Sequence, residues 1–236
     1  MEEHESQRDD AIATETSRSD GAMTLRQMIL NLLAIATVVV LPHLGLTPNF
    51  SYSIPILLFV WLFLRRTGEG FSDIGFRFRS CTLRAALFGS IAAVAILSFM
   101  QLLVFPALDH IVELESNDIG LYEFVRANKT QFLIIVVMGW LIGGLYEEIV
   151  FHGFIFTRLE KMIPGKNATA LSFSVSCIVF GAYHLQMGSA GAFNALVVGS
   201  VYQGLFLYFD RNLWASIICH GVYNTMVLTL IYMGYL

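Results

Sequence analysis

A chain of 236 residues is long enough for one domain, yet 56% of it is apolar and only 14% is charged, with a mean hydropathy of +0.66. That balance excludes a soluble globule and points to an integral membrane protein. The net charge of −4 says little by itself; three cysteines, Cys81, Cys177 and Cys219, are odd in number and lack a CxxC pair, which argues against a disulfide framework or a zinc ribbon.

Residues 1–24 are polar and acidic, contain no apolar core, and read as a disordered tail without a secretory signal. Beyond them the ruler is the bilayer, whose core of about 30 Å takes roughly 20 helical residues. Between Arg26 and Arg65 lie 38 residues without Asp, Glu, Lys or Arg. Pro42 and the stretch Thr47-Pro48-Asn49 divide them into two crossings, near 25–45 and 50–64. Residues 65–84 place Phe71, Ile74, Phe76 and Phe78 among Arg65, Arg66, Arg77 and Arg79, which predicts a connection along the membrane surface.

A third crossing spans 85–108, and a fourth runs from Thr130 to Thr157, uncharged except for Glu147 and Glu148. The 43 uncharged residues from Asn167 to Phe209 make crossings five and six, with a turn at Gly188–Gly191, and a seventh runs from about Asn212 to the C-terminus. The expected fold class is all-α, a polytopic transmembrane helical bundle of about seven crossings with a buried polar cavity. Its organisation is a tail (1–24), N-terminal transmembrane helices with an interfacial connection (25–129), and a core that carries the intramembrane polar residues (130–236).

Seven crossings put twelve of the 14 Lys and Arg residues on one side, leaving Arg126 and Lys129 on the other beside the acids of loop 109–129. By the positive-inside rule the N-terminus is cytoplasmic and the C-terminus external. Membrane lipids are therefore expected neighbours, and nucleic acid is not an expected partner.

Carboxylates within hydrocarbon cost about 2.5–3.5 kcal/mol each on insertion scales, so a Glu pair in mid-span needs partners or a purpose. At the helical rise Glu147 lies about 20 Å from the cytoplasmic end of its helix, His184 about 24 Å, and His220 and Asn224 about 10 and 16 Å. Tilt closes the remaining gap, so the four can line one intramembrane cavity. Phe180 shares a helix face with His184, His220 with Asn224, and Glu148 with His152. Glu147 and Glu148 stand about 100° apart on the helical wheel, so one is expected to act and the other to brace. Gly143, Gly144 and Gly181 remove bulk where helices approach closely. A carboxylate with one or two imidazoles activates water, directly or through a metal, and an Asn beside a His can stabilise an oxyanion. The chemistry suggested is amide hydrolysis.

Three segments, Glu147-Glu148-Ile-Val-Phe-His152, Phe180-Gly-Ala-Tyr-His184 and His220-Gly-Val-Tyr-Asn224, resemble in order and spacing the EExxxR, FxxxH and HxxxN motifs of the CPBP family. This is the family of CAAX proteases and bacteriocin-processing enzymes, also called ABI. The resemblance covers roughly residues 130–236 and implies an intramembrane endopeptidase with a catalytic helical core. It implies that Glu147 activates water, that His184 helps hold the water or a divalent metal such as zinc, that His220 and Asn224 stabilise the oxyanion, and that Glu148 braces. Glu147, His184 and His220 would suffice as metal ligands, and the same residues can act without a metal. The implied partner is a peptide or lipidated, CAAX-like protein arriving from the cytosolic leaflet, and the short loops suggest a prokaryotic plasma membrane. His152 stands where the family has arginine and is expected to support Glu148, although a ring lacks the two-pronged guanidinium.

Intramembrane polar groups also serve packing and ion transport, and a lone His184 or Asn224 would favour the packing role. A proton- or ion-coupled transporter, or a catalytically silent membrane scaffold, are thus the competing readings. The absence of a detectable inverted repeat weighs against transport. His43 and His110 are assigned to the external interface, Phe180 to the wall around His184, and Cys219 to a face turned away from His220.

Overall fold

The computed structural model describes residues 23–46, 49–109, 124–126 and 128–236, and among these the chain is helical without strands. Nearly all of the expected tail, residues 47 and 48 of the first break, His110 and most of the acidic loop lie outside the described residues. Seven rods follow in chain order: α1 (Leu25–Leu44), α2 (Phe50–Arg66), α3 (Leu83–Leu108), α4 (Lys129–Met162), α5 (Ala168–Tyr183), α6 (Leu185–Tyr208) and α7 (Trp214–Met233). Five of them, α1, α3, α4, α6 and α7, are long and apolar enough to cross a bilayer. A sixth crossing is reached if α2 is joined to residues Phe71–Ser80 across a 105° bend. α5, the remaining rod, is shorter at 16 residues.

Local chemistry sets the ends. Thr24 opens α1 with a reciprocal cap, its hydroxyl accepting from the Gln27 backbone while the Gln27 side chain returns to the Thr24 N–H. Pro42 tightens the end of α1 into a 3-10 turn closed by left-handed Gly45. Thr82 and Asn128 cap α3 and α4 through their side chains. In α3 the backbone widens to π geometry over Met100–Val104, just before Pro106, whose ring crowds the carbonyl one turn back and offers no N–H. The turn expected at Gly188–Gly191 falls earlier. α5 ends at His184, a 3-10 turn covers Leu185–Met187, and Gly188 at φ +82° redirects the chain, with Gly191 already inside α6.

α4 is the central rod, in contact with α2, α5, α6 and α7. Its middle, Gly139–Ile155, is π-helical and almost entirely buried from Ile142 onward. Glycines let it sit close to its neighbours: a Cβ on Gly144 would stand 3.2 Å from the Ile217 carbonyl, and one on Gly221 would enter the Trp140 ring at 2.4 Å. α3 meets α7 the same way, with a Cβ on Gly89 only 2.5 Å from the Ala215 carbonyl. The outer faces stay apolar, with Leu33, Leu62, Ile91, Leu103, Ile134 and Val137 exposed, as lipid contact requires.

The charged connections gather at one end. The 67–82 connection belts it: Asn212 donates to the Ser80 carbonyl, Trp214 Nε1 to the Arg77 carbonyl, and the Leu213 N–H to the Gly75 carbonyl. Phe78 projects from that belt at 79% exposure, which suits an interfacial position. Arg211 pairs with Glu160, while Arg158 grips Glu69 through two bonds of 2.6 and 2.7 Å with Lys161 beside it. At the opposite end Arg126 donates to the Leu236 carbonyl.

Burial alone would raise the Glu69 carboxyl, but hydrogen bonds from Arg158 and Lys161 override it and hold the group down at about 2. A depressed carboxyl contributes stability above its ordinary value of 4.5 and loses it as the pH falls toward about 2. Thermal melts of the detergent-solubilised protein should therefore weaken across that window. Arg158→Met, which leaves Glu69 with only Lys161 and the Thr67 hydroxyl, should cost about 1–2 kcal/mol at neutral pH and flatten the acid limb; an unchanged limb would assign the acid sensitivity to other groups.

Candidate active site

The expected site residues come from three rods. Glu147, Glu148 and His152 lie in the π segment of α4, Phe180 and His184 close α5, and His220 and Asn224 belong to α7. They converge. Oε2 of Glu147 stands 3.8 Å from Nε2 of His184 and 3.9 Å from Nε2 of His220. Oε1 of Glu148 meets Nδ1 of His220 at 2.9 Å. The two carboxylates thus divide: Glu147 faces both imidazoles across a gap, and Glu148, fully buried, holds the back of one of them.

Each imidazole is oriented by its other nitrogen. Nδ1 of His184 lies 2.8 Å from the Phe180 carbonyl. A carbonyl only accepts, so Nδ1 carries the proton and Nε2 faces Glu147. This bond exists because α5 ends at His184, whose side chain turns back onto its own last turn. His220 is fixed by Glu148 at one edge and by Tyr202 stacked on its face, 4.5 Å between centroids and 19° between planes.

Asn224 sits beside His220 over the glycine floor of α4. Its Nδ2 donates to the Gly139 carbonyl at 3.4 Å, and a Cβ on Gly143 would lie 2.4 Å from Nδ2 and 3.0 Å from Nε2 of His220. Gly143 therefore keeps open the space between the Glu147 helix and the Asn224 amide. Phe180 is the common wall, with its ring 4.6 Å from His184, 5.1 Å from His152 and 6.2 Å from His220. Gly199 on α6 leaves room for it, since a Cβ there would lie 2.5 Å from the Phe180 ring.

His152, in the arginine position of the motif, is fully buried with Nε2 3.8 Å from Oε1 of Glu148, beyond hydrogen-bond length. Its firm bond goes elsewhere, from Nδ1 to Oε1 of Gln203 at 3.0 Å. Gln203 and Tyr202 were not anticipated. An uncharged amide in mid-span carries the same cost argument as a carboxylate, and extending that test beyond ionisable residues and asparagine would have marked Gln203. Tyr202 has no such signal in an aromatic-rich chain. His43, expected at the external interface, is exposed, and its ring packs 4.7 Å from Tyr183, next to His184. Counting from Leu25 puts it about 27 Å along its helix, close to the depth of His184. Tyr223, inside the third motif, donates to Asn194 at 2.9 Å, which gives it a packing role, and Cys219 is buried in the core.

Glu147, His184 and His220 have the donor chemistry for a zinc-type ion, but their spacing is wide. Ligands held at about 2.1 Å in a tetrahedron stand about 3.4 Å apart, against 3.8 and 3.9 Å here. Among the described residues no three His, Cys, Asp or Glu side chains converge closely enough to hold a metal ion. The gap fits a hydrogen-bonded water instead, which reaches partners at about 2.8 Å on each side.

Residues 129–226 match the family model described as Rce1-like, type II CAAX prenyl endopeptidase. No curated protein and no solved structure matches the chain. The matched segment runs from the start of α4 through the last motif and contains each of the converging side chains, so the core of this integral membrane protein is similar to the CAAX protease (CPBP) family over that segment.

Proposed function

We propose that the chain is an intramembrane endopeptidase in which Glu147 activates a water molecule against a peptide bond. The observation that carries this reading is one carboxylate oxygen of Glu147 facing Nε2 of two histidines from other helices, at 3.8 and 3.9 Å, inside an apolar bundle. A water in that gap can donate one proton to Glu147 and direct the other toward His184, whose Nε2 is left as an acceptor by the bond from Nδ1 to Phe180. Its oxygen then points at a substrate carbonyl carbon.

As the oxygen–carbon bond forms, Glu147 takes the proton from water, and the carbonyl oxygen becomes an oxyanion. Nδ2 of Asn224 and Nε2 of His220 are the adjacent donors for it, and the Glu148 carboxylate behind Nδ1 supports positive charge on the His220 ring. Collapse of the intermediate breaks the carbon–nitrogen bond, and the proton on Glu147 passes to the leaving amine. A carboxylic acid and an amine result, with no redox change and Glu147 restored.

The substrate we propose is a lipidated, CAAX-like or membrane-associated peptide entering from the cytosolic leaflet. The similarity to type II CAAX prenyl endopeptidases supports the class. The gathering of Arg65, Arg77, Arg158 and Lys161 at one end, with Leu236 beside Arg126 at the other, supports a cytoplasmic N-terminus and an external C-terminus.

Glu147→Gln keeps the shape and removes the base, so purified protein should lose at least about 100-fold in cleavage rate on a prenylated peptide while its melting temperature holds. Retained cleavage would refute the role of Glu147. Because the donor spacing favours a directly held water, treatment with a strong chelator should leave the rate unchanged. Loss on chelation with recovery on adding zinc would replace that water by a metal-bound one.

A further inference from the structure

We infer that Gln203 is a positioning residue of this site, fixing the His152 ring beside Glu148, the carboxylate that holds His220. The kinetic consequence rests on the endopeptidase reading, whereas the structural one does not. Gln203 is on α6, outside the three motifs, and is fully buried. Its Oε1 accepts from Nδ1 of His152 at 3.0 Å and from the Ser176 hydroxyl at 3.4 Å, and its Nε2 donates to the His152 carbonyl at 3.5 Å. Ser176 also reaches the Phe151 carbonyl at 3.1 Å. The amide is therefore tied to α4 at two points and to α5 at one.

The direction of these bonds fixes the ring. An amide oxygen has no proton to give, so Nδ1 of His152 is the protonated nitrogen and Nε2 is the atom turned to Oε1 of Glu148. That same oxygen holds Nδ1 of His220 at 2.9 Å, and His220 in turn presents Nε2 to Glu147. Gln203 thus fixes the His152 ring 3.8 Å from the Glu148 oxygen that holds His220, a packing contact without a hydrogen bond. The residue before Gln203 reinforces the other end, because Tyr202 stacks on His220 and meets the His152 ring edge-on at 6.0 Å. Two consecutive residues of α6 therefore grip both histidines that flank Glu148.

Ring-nitrogen NMR on histidine-labelled protein in detergent tests the inference directly, with the His152 signals identified by their loss in His152→Phe. The native ring should show a protonated Nδ1. Gln203→Leu, which removes the acceptor at similar volume, should abolish that signature, and Gln203→Glu, which keeps an oxygen there, should retain it. On a prenylated peptide, Gln203→Leu should lower kcat about tenfold or more with KM unchanged, as loss of an orienting outer partner does, and Gln203→Glu should stay near the native rate. A native His152 protonated at Nε2 alone, or a Gln203→Leu protein with an unaltered His152 signature, overturns the inference. If Gln203→Leu fails to fold, the native signature and its retention in Gln203→Glu still decide. A native protein without peptidase activity would sink the endopeptidase reading while the NMR outcome judged Gln203 separately.

Discussion

The bond between Glu148 and His220 is the constraint on which the architecture turns. Two adjacent carboxylates in a membrane helix are tolerable only if each finds a partner within the bundle, since hydrocarbon offers none. Glu148 is fully buried, and its firmest partner belongs to α7, so α7 must lie against α4 at that height. The requirement explains the small residues along the seam. Gly143 and Gly144 on one side and Gly221 on the other allow an approach that a Cβ at any of the three would obstruct. Trp140 then fills the groove over Gly221 and donates to Thr225 at 3.0 Å, adding a second tie between α4 and α7 to the bond between Glu148 and His220.

The π geometry of the central rod belongs to the same solution. Bonds that close on the fifth residue hold more residues in each turn, and such segments recur at functional sites. Over Gly139–Ile155 the widened helix turns Glu148 inward while Glu147 stays within reach of rings from both α5 and α7. Four glycines, Gly139, Gly143, Gly144 and Gly153, lie in this stretch, three of them facing α7 side chains or backbone and Gly153 facing the Ile74 carbonyl. The polar groups thus sit on the most irregular backbone of the bundle, where they are enclosed by protein and not by lipid.

Much of this was legible beforehand, for a physical reason. The cost of polar groups in hydrocarbon makes Glu147, Glu148, His184, His220 and Asn224 conspicuous in a chain with so few of them, and helical rise converts their numbering into depth. What the ruler could not supply was backbone detail. Nothing in residues 139–155 announces π geometry, so the helical wheel assumed the wrong turn size. The end of α5 was placed late because Gly188 and Gly191 looked equivalent, whereas only Gly188 adopts a positive φ, and the earlier stop is what lets His184 bond to Phe180. Gln203 is uncharged, so the cost that marks an ionisable group in hydrocarbon does not single it out.

The segment matched to the CAAX protease family begins at residue 129, but the walls of the site do not. Tyr146 and Tyr183 immediately precede Glu147 and His184, and each is packed by a ring from the N-terminal half: Tyr52 lies 5.7 Å from Tyr146, and His43 lies 4.7 Å from Tyr183. At the basic end Glu69, also N-terminal to the core, neutralises the buried Arg158, whose guanidinium rests over Phe63 and Phe154. The helices that carry the motifs are therefore held at both heights by α1, α2 and the connection that follows them. A bundle confined to residues 129–236 would bare the flank of Glu147 and leave Arg158 without its carboxylate, a charge that hydrocarbon does not accept alone. The first half of the chain is thus part of the physical definition of the site, though the motifs lie wholly in the second.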